Sequence, residues 1–331
     1  MSNLPAVTGK NLNIMFTCIG RRVSLLSSFR KSARQLKLTS KFIGTDTTPL
    51  SSALQLCDKG YLVKPVDHRG YLKELLDIVK NEKIKLLIPT VDLDLKLLAN
   101  NKAKFEKLGC FVLISKPKVI DICQDKRETF SFLSEAGFDT PLTWSNSSAL
   151  RKKDLRYPCF LKPWDGYASR GSAIVRNRME LSFYAKTVPN CIVQEYINGN
   201  EYTCDVFVNF DGKVRCVVPR QRLEVRSGEV SKAQIVKDPK IMETAAQAVE
   251  ALGAGPGVIT VQLIKNGGRK INLIEINPRF GGGAPLSIKA GANFPKWILQ
   301  ELTGKKPRIK FDGFKNKLTM LRFDAEVWLD G

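Results

Sequence analysis

The sequence predicts an α/β domain with a parallel sheet, followed by an α+β region built on antiparallel strands. Three observations carry this. Over the first 120 residues, short apolar runs alternate with amphipathic segments about a dozen residues long, the pattern of βαβ units. Beyond residue 200, apolar runs are separated by the turn sequences "FDGK" and "NGGRK", which join antiparallel neighbours. At 331 residues the chain exceeds a single ordinary core, so two or three domains are expected.

In order, "NIMFTCIG" reads as a strand and "SLLSSFRKSARQL" as a helix. "KFIGTD" and "GYLVKP" follow as strands, "YLKELLDIVKNEK" as a helix and "KLLIPT" as a strand. "DLDLKLLANNKAKFEKLG" reads as one helix and "CFVLIS" as a strand. Parallel sheets collect ligands beyond their strand carboxyl ends, where Arg21, Arg22, Asp46, Thr90 and Asp92 fall. "DKRETFSFLSEAGF" reads as a helix stopped by Gly137, and "MELSFYAKTV" as another among short strands. The later strands are "EYTCDVFVNF", "KVRCVVPRQRLEV", "GVITVQLIKNG" and "RKINLIEIN", with helices "KIMETAAQAVEAL" and "PKWILQELTG". A charged connector, "KKPRIK", leads to a last strand, "LTMLRFDAEVWL". Domain boundaries are placed at 1–117, 118–198, 199–310 and 311–331.

No apolar run approaches the roughly 18 residues of a membrane span. The opening "MSNLPAVTGKNLNIMF" lacks a signal-peptide layout, so a soluble cytoplasmic protein is expected. The eight cysteines form no C-x-x-C pair and read as buried free thiols. A single histidine, His68, excludes His-based triads and multi-His metal sites, leaving oxygen ligands for any metal. The net charge of +21 is spread along the chain. It suits polyanionic partners, anionic lipid headgroups or anionic small substrates, and reads most simply as a solvated surface with no specific partner. Without a recognised module or aromatic–basic interleaving, nucleic acid is disfavoured.

In "NLIEINPRFGGGAPL", strand alternation puts Glu275 and Asn277 on one face at the strand's carboxyl end, ~7 Å apart by the strand rise. A carboxylate and an amide oxygen at that spacing reach one hard cation such as Mg²⁺, and Gln262 across the "NGGRK" turn supplies a third oxygen. Arg279 then neutralises a transferring phosphoryl group. The glycines 281–283 read as a flexible loop. In "FLKPWDGYASRG", a strand delivers Lys162 to a loop holding Gly166, Ser169, Arg170 and Gly171, whose backbone N–H groups suit phosphate oxygens. In "IVQEYINGNEYTCDV", the backbone of Glu195 to Ile197 suits an adenine edge, and Glu201 suits ribose hydroxyls.

The order of these elements resembles the ATP-grasp superfamily over about residues 12–304. Within it the chain looks most like single-unit relatives of the carbamoyl-phosphate synthase large subunit. "EINPRFGGG" is the most specific element, and "DK…F…AGF.TP" the next. The resemblance implies a pre-ATP-grasp Rossmann-like domain before a two-lobed ATP-grasp fold. It also implies ATP and Mg²⁺ as cofactors and an ATP-dependent carboxylate–amine ligase. The alternatives are a carboxylate–thiol ligase or an ATP-binding regulator without ligation. Lys126 and Lys162 would contact phosphates, with residues 165–171 closing over them. Gln194, Glu195, Tyr196 and Ile197 would surround adenine, with Glu201 at ribose. Gln262, Glu275 and Asn277 would hold Mg²⁺, and Arg279 would steady the transition state. From the cluster Arg220, Arg222 and Arg226, Arg226 is the expected substrate-facing group. Small-molecule acid and amine substrates, an acidic substrate and a homodimer are implied. Ala168 departs from a family glycine, and the single unit argues against full carbamoyl-phosphate synthesis. A nicotinamide reductase is disfavoured because "CIGRRVS" lacks the G-x-G-x-x-G turn.

Overall fold

The computed structural model describes residues 10–166, 170–226, 228–267 and 270–329. The first sheet joins β1 (Asn13–Thr17), β2 (Phe42–Asp46), β3 (Lys59–Leu62), β4 (Ile84–Pro89) and β5 (Phe111–Val112). Its order is β3-β2-β1-β4-β5, and every pairing is parallel. Helices α1 (Val23–Gln35), α2 (Ser52–Gln55), α3 (Tyr71–Asn81), α4 (Leu95–Asn100) and α5 (Lys102–Lys107) make the crossovers. In α1, Leu25, Leu26, Phe29 and Ala33 recur at helical spacing and are buried, which is why that segment docks as a helix. Strand order reverses between β1 and β4, so the loops after these strands open a crevice. Asp46 accepts from the Gly20 N–H at 2.8 Å, and the Thr90 hydroxyl donates to the Cys18 carbonyl at 2.7 Å. These bonds hold the turn that presents Arg22.

The segment expected as one helix from Asp92 splits at Asn101, which ends α4 and begins α5. Asparagine competes for its own backbone and favours helix ends over interiors.

Asp94, at the start of α4, is fully buried and accepts from the Tyr71 hydroxyl at 3.1 Å, while its Oδ1 has no partner among the described residues. Burial pushes its carboxyl up to about 6. The unfolded chain ionises this group near its ordinary 3.8. Below that pH both states hold the proton. Between the two values only the fold does, so stability falls as pH rises, and above about 6 a constant penalty remains. A shift of about two units corresponds to about 3 kcal/mol. Asp94→Asn is expected to gain on the wild type progressively from pH 4 to 7 in thermal melts. A difference that does not change with pH would show that Asp94 is ionised throughout.

α6 (Pro117–Gln124) and α7 (Lys126–Glu135) lead to a four-stranded antiparallel sheet. It comprises β6 (Thr143–Ser145), β7 (Cys159–Pro163), β8 (Ala173–Val175) and β9 (Cys191–Glu195), with α8 (Asn146–Arg151) and α9 (Arg178–Thr187). Its buried residues, among them Leu161, Leu181 and Val193, form a core of their own.

The third sheet holds β10 (Asn200–Val208), β11 (Val214–Arg226), β12 (Glu229–Ile235), β13 (Gly257–Lys265), β14 (Ile271–Asn277) and β15 (Thr319–Leu321), in the order β14-β13-β10-β11-β12-β15. α10 (Pro239–Leu252), α11 (Ala284–Ala290) and α12 (Phe294–Leu302) accompany it. One continuous core runs from Phe16 and Phe29 to Val206 and Leu273, so the first and third sheets share an interior. Phe29 meets Phe280 edge-on at 5.9 Å between ring centroids, fixing the chain just before the glycines. The expected last strand reduces to β15. Pairing with β12 stops at Leu321, and Phe323 and Trp328 beyond it are 86% and 85% exposed. All eight cysteines are free thiols, and among the described residues no helix is long and apolar enough to cross a membrane.

Candidate active site

A row of residues in register crosses the third sheet: Glu275 opposite Gln262, Gln262 opposite Thr203, and Thr203 opposite Arg220. Register partners share a face, so these four side chains lie on one side of the sheet. A cavity of about 670 Å³ opens on that face. Its far walls bring Arg22 and Asp92 from the first sheet and Lys162 from the second. A second cavity, of about 540 Å³, holds Asn277 and meets the first at Asp92, Lys126, Gly166 and Glu275.

Glu275 thus touches both spaces, and the Asn277 amide donates to its Oε1 at 2.9 Å. Gln262 faces Glu275 across β13 and β14. Among the described residues no group of three or more His, Cys, Asp or Glu side chains forms a metal cluster. The donors here are one carboxylate and two amides, a hard oxygen set that suits Mg²⁺ when phosphate and water complete its shell.

β7 carries Lys162 in from the opposite wall, where it is 6% exposed and makes no hydrogen bond among the described residues. Burial pushes its ammonium down to about 8; Glu275 opposes this and the Lys126 charge reinforces it. A buried lysine in that state is ready for an anionic partner. Lys126 begins α7 and donates to the Gly166 carbonyl, tying the chain just after β7 to the start of that helix. Gly166 and Arg170 line the cavity, while Gly171 turns the chain at φ +70°, where a side chain is strained. Ser169 and Ala168 lie outside the described residues. Gln194, Glu195, Tyr196 and Ile197 line the cavity at the end of β9. Gln194 donates to the Thr143 hydroxyl at 2.7 Å, and the Glu195 N–H donates to the Leu142 carbonyl at 2.8 Å.

Glu201 lines the same space and pairs with Arg222 at 3.2 Å. Burial raises its carboxyl above the ordinary range; Arg222 lowers it in part and Glu275 raises it further. Arg279 donates to Asp92 at 2.7 Å across the junction with the first sheet, and Thr260 donates to its carbonyl at 2.9 Å. Burial works against its charge, but Asp92 and Glu275 outweigh it and hold the guanidinium above its ordinary pKa.

Arg226 lines neither cavity. Register shifts on either side of Glu224 reverse the alternation of β11, so Arg222 and Val225 face the cavity. Arg226 turns outward to Glu224 at 3.0 Å. A bulge costs one residue of register and flips every side chain beyond it.

Arg220 is the largest fully buried side chain. Its Nε and a terminal nitrogen donate to Asp205 at 2.8 and 3.0 Å, and Ser287 donates to the same carboxylate at 2.6 Å. This pair explains the glycines. A Cβ at Gly283 would stand 2.1 Å from an Arg220 nitrogen, and one at Gly281 would stand 2.9 Å from the Thr260 hydroxyl. The run is tight packing over a buried ion pair and leads directly into α11, where a flexible loop was expected. The available signal was Asp205 itself: a carboxylate inside the apolar run "TCDVFV" requires a buried cationic partner.

Residues 187–322 match a family described as ATP-grasp in the biosynthetic pathway with Ter operon, and residues 14–113 match the PylC-like N-terminal domain. Among solved structures, the biotin carboxylase domain dimer of 2-oxoglutarate carboxylase from Hydrogenobacter thermophilus, in complex with MgADP, ADP and bicarbonate, superimposes with a TM-score of 0.75. It is 18% identical, over 92% of this chain and 73% of that one. The L-amino acid ligase from Bacillus licheniformis gives 0.69 at 20% identity, over 89% and 75%. The N5-carboxyaminoimidazole synthetase from Staphylococcus aureus, complexed with ADP, gives 0.69 at 17%, over 90% and 79%. No curated protein matches the chain. At these identities the likeness to the solved structures is one of fold.

Proposed function

We propose that this chain, which has the fold of ATP-grasp enzymes, is an ATP- and Mg²⁺-dependent ligase joining a carboxylate to an amine. The observation that carries the reading is the meeting of Lys162 from one sheet with Gln262, Glu275 and Arg279 from another around a single cavity. A carboxylate oxygen attacks the γ-phosphorus of ATP, its bond to ADP breaks, and an acyl phosphate forms. The amine nitrogen then attacks the acyl carbon, phosphate leaves with the bonding pair, and the nitrogen gives up a proton. Phosphoryl transfer depends mainly on positioning and charge neutralisation, so no nucleophilic side chain is required.

Lys162 and Lys126 hold the triphosphate, and the chain at Gly166, Arg170 and Gly171 covers it and excludes water. Gln194, Glu195, Tyr196 and Ile197 receive adenine, and Glu201 the ribose. Arg279 neutralises the transferring group while Asp92 orients its guanidinium. Glu275, Asn277 and Gln262 would hold Mg²⁺, which supplies neutralisation of phosphate charge. Arg222 replaces Arg226 as the cationic group of β11 facing the substrate. Residues 1–117 select the substrate, 118–198 cover the nucleotide, 199–310 hold the metal and phosphates, and 311–331 form a tail. The working assembly is a cytoplasmic homodimer acting on small molecules. Support comes from a structural neighbour named as an L-amino acid ligase and from others solved with ADP or MgADP.

The test is an ADP-release screen with Mg²⁺ over acids and amines, with products identified by mass spectrometry. The expected result is ADP release that requires one acid and one amine together. Tight ATP binding with no ADP from any pair would overturn the ligase reading in favour of a nucleotide-binding regulator.

A further inference from the structure

The arginines of the large cavity differ in how their charge is met. Arg220 is held bidentately by Asp205, Arg279 by Asp92 at 2.7 Å, and Arg222 by Glu201 at 3.2 Å. Arg22, on the turn between β1 and α1, has no such partner. Its side chain is only 20% exposed, yet its guanidinium makes no hydrogen bond among the described residues, and its nearest carboxylate oxygen is that of Glu229 at 3.9 Å. Glu229 is also shared with Arg21 at 3.8 Å and Arg322 at 3.3 Å. Three guanidiniums therefore surround one carboxylate, leaving two positive charges uncompensated at this wall. A desolvated guanidinium without hydrogen bonds is costly unless a ligand completes it. Arg22 also feels Arg279: burial first, then repulsion from that neighbour, lowers its pKa.

The backbone around Arg22 is shaped for it. A Cβ at Gly282 would lie 2.8 Å from a terminal nitrogen of Arg22, so a side chain there would push the guanidinium from its present position. The Gly282 carbonyl is taken by Arg322, and the turn bearing Arg22 is fixed by Asp46 and Thr90. The group is preorganised from both sides of the junction.

We propose that Arg22 is a specificity residue that receives a second anionic group on the acid substrate, so that the substrate class is an acid with two anionic groups. The proposal rests on the ligase reading for which carboxylate reacts, but not for binding. Arg279 attends the phosphoryl group passing to the reacting carboxylate, and Arg22 holds the other end of the acid as a planar fork suited to carboxylate or phosphate. Glu229 occupies the fork weakly and gives way when the second anion arrives.

The test uses titration calorimetry on the full chain with Mg²⁺ and a non-hydrolysable ATP analogue. Two matched pairs are compared, succinate against butyrate and 3-phosphoglycerate against glycerate. The dianionic member of at least one pair is expected to bind about 10–100-fold tighter, the scale of one charge-assisted contact. Whichever pair shows the preference assigns the second group as carboxylate or phosphate. Arg22→Met removes the preference, Arg22→Lys retains part of it, and Glu229→Gln, freed of the competing carboxylate, increases it. A purely structural role would not produce that gain. Equal binding within both pairs, or a preference unchanged in Arg22→Met, overturns the proposal. A dianion preference without ADP release would defeat only the ligase reading. ADP release from monoacids, unaffected by Arg22→Met, would defeat only this one.

Discussion

Glu275→Gln is expected to lower acid- and amine-dependent ADP release about 100–1000-fold, the scale on which removing one charge-stabilising group acts. The change is nearly isosteric and keeps an oxygen within reach of the Asn277 amide, which now donates to Oε1 at 2.9 Å. Melting temperature should therefore stay close to wild type. What is lost is a carboxylate at the meeting of the two cavities, opposite Gln262 and close enough to Lys162 to bias its ionisation. The check is single-turnover ADP release together with circular dichroism. Turnover within about threefold of wild type would remove Glu275 from the reacting centre, since a tenfold effect corresponds to only 1.4 kcal/mol of barrier.

Asp205→Ala is the largest expected effect on stability, about 3–5 kcal/mol, because it strands a buried guanidinium. Arg220 is 1% exposed and Asp205 fully buried, so no water replaces the lost carboxylate. Ser287 loses its acceptor as well. The double variant Asp205→Leu, Arg220→Met removes both charges and should recover most of the loss, because apolar groups of similar volume often replace a buried pair at little cost. Urea midpoints at constant slope provide the comparison. A single variant within 1 kcal/mol of wild type would mean that Arg220 escapes to solvent through the cavity.

Period and punctuation revealed most of the architecture. The parallel β1–β4 sheet was legible because apolar runs alternate with helical spacing, and the Glu275–Asn277 face because strand parity is unambiguous beside the "NPR" stop. What failed were features set by long-range contact. The bulge at Glu224 that turns Arg226 outward depends on pairing with β12, which a local window does not reveal. The glycines were misread because flexibility and close approach leave the same letters; only the Arg220 guanidinium against Gly283 tells them apart. The two helices divided by Asn101 were fused because their apolar periodicity carries across the break.

The four-stranded sheet that carries Lys162 keeps its own small interior, separate from the one shared by the other two sheets. A tilt of that arm would leave Leu161, Leu181 and Val193 packed against one another, so it would cost little buried apolar contact. On the ligase reading, such a tilt would admit and release nucleotide while the sheet proposed to handle phosphate stays as it is, so exchange rate and chemistry would be governed by different parts of the chain.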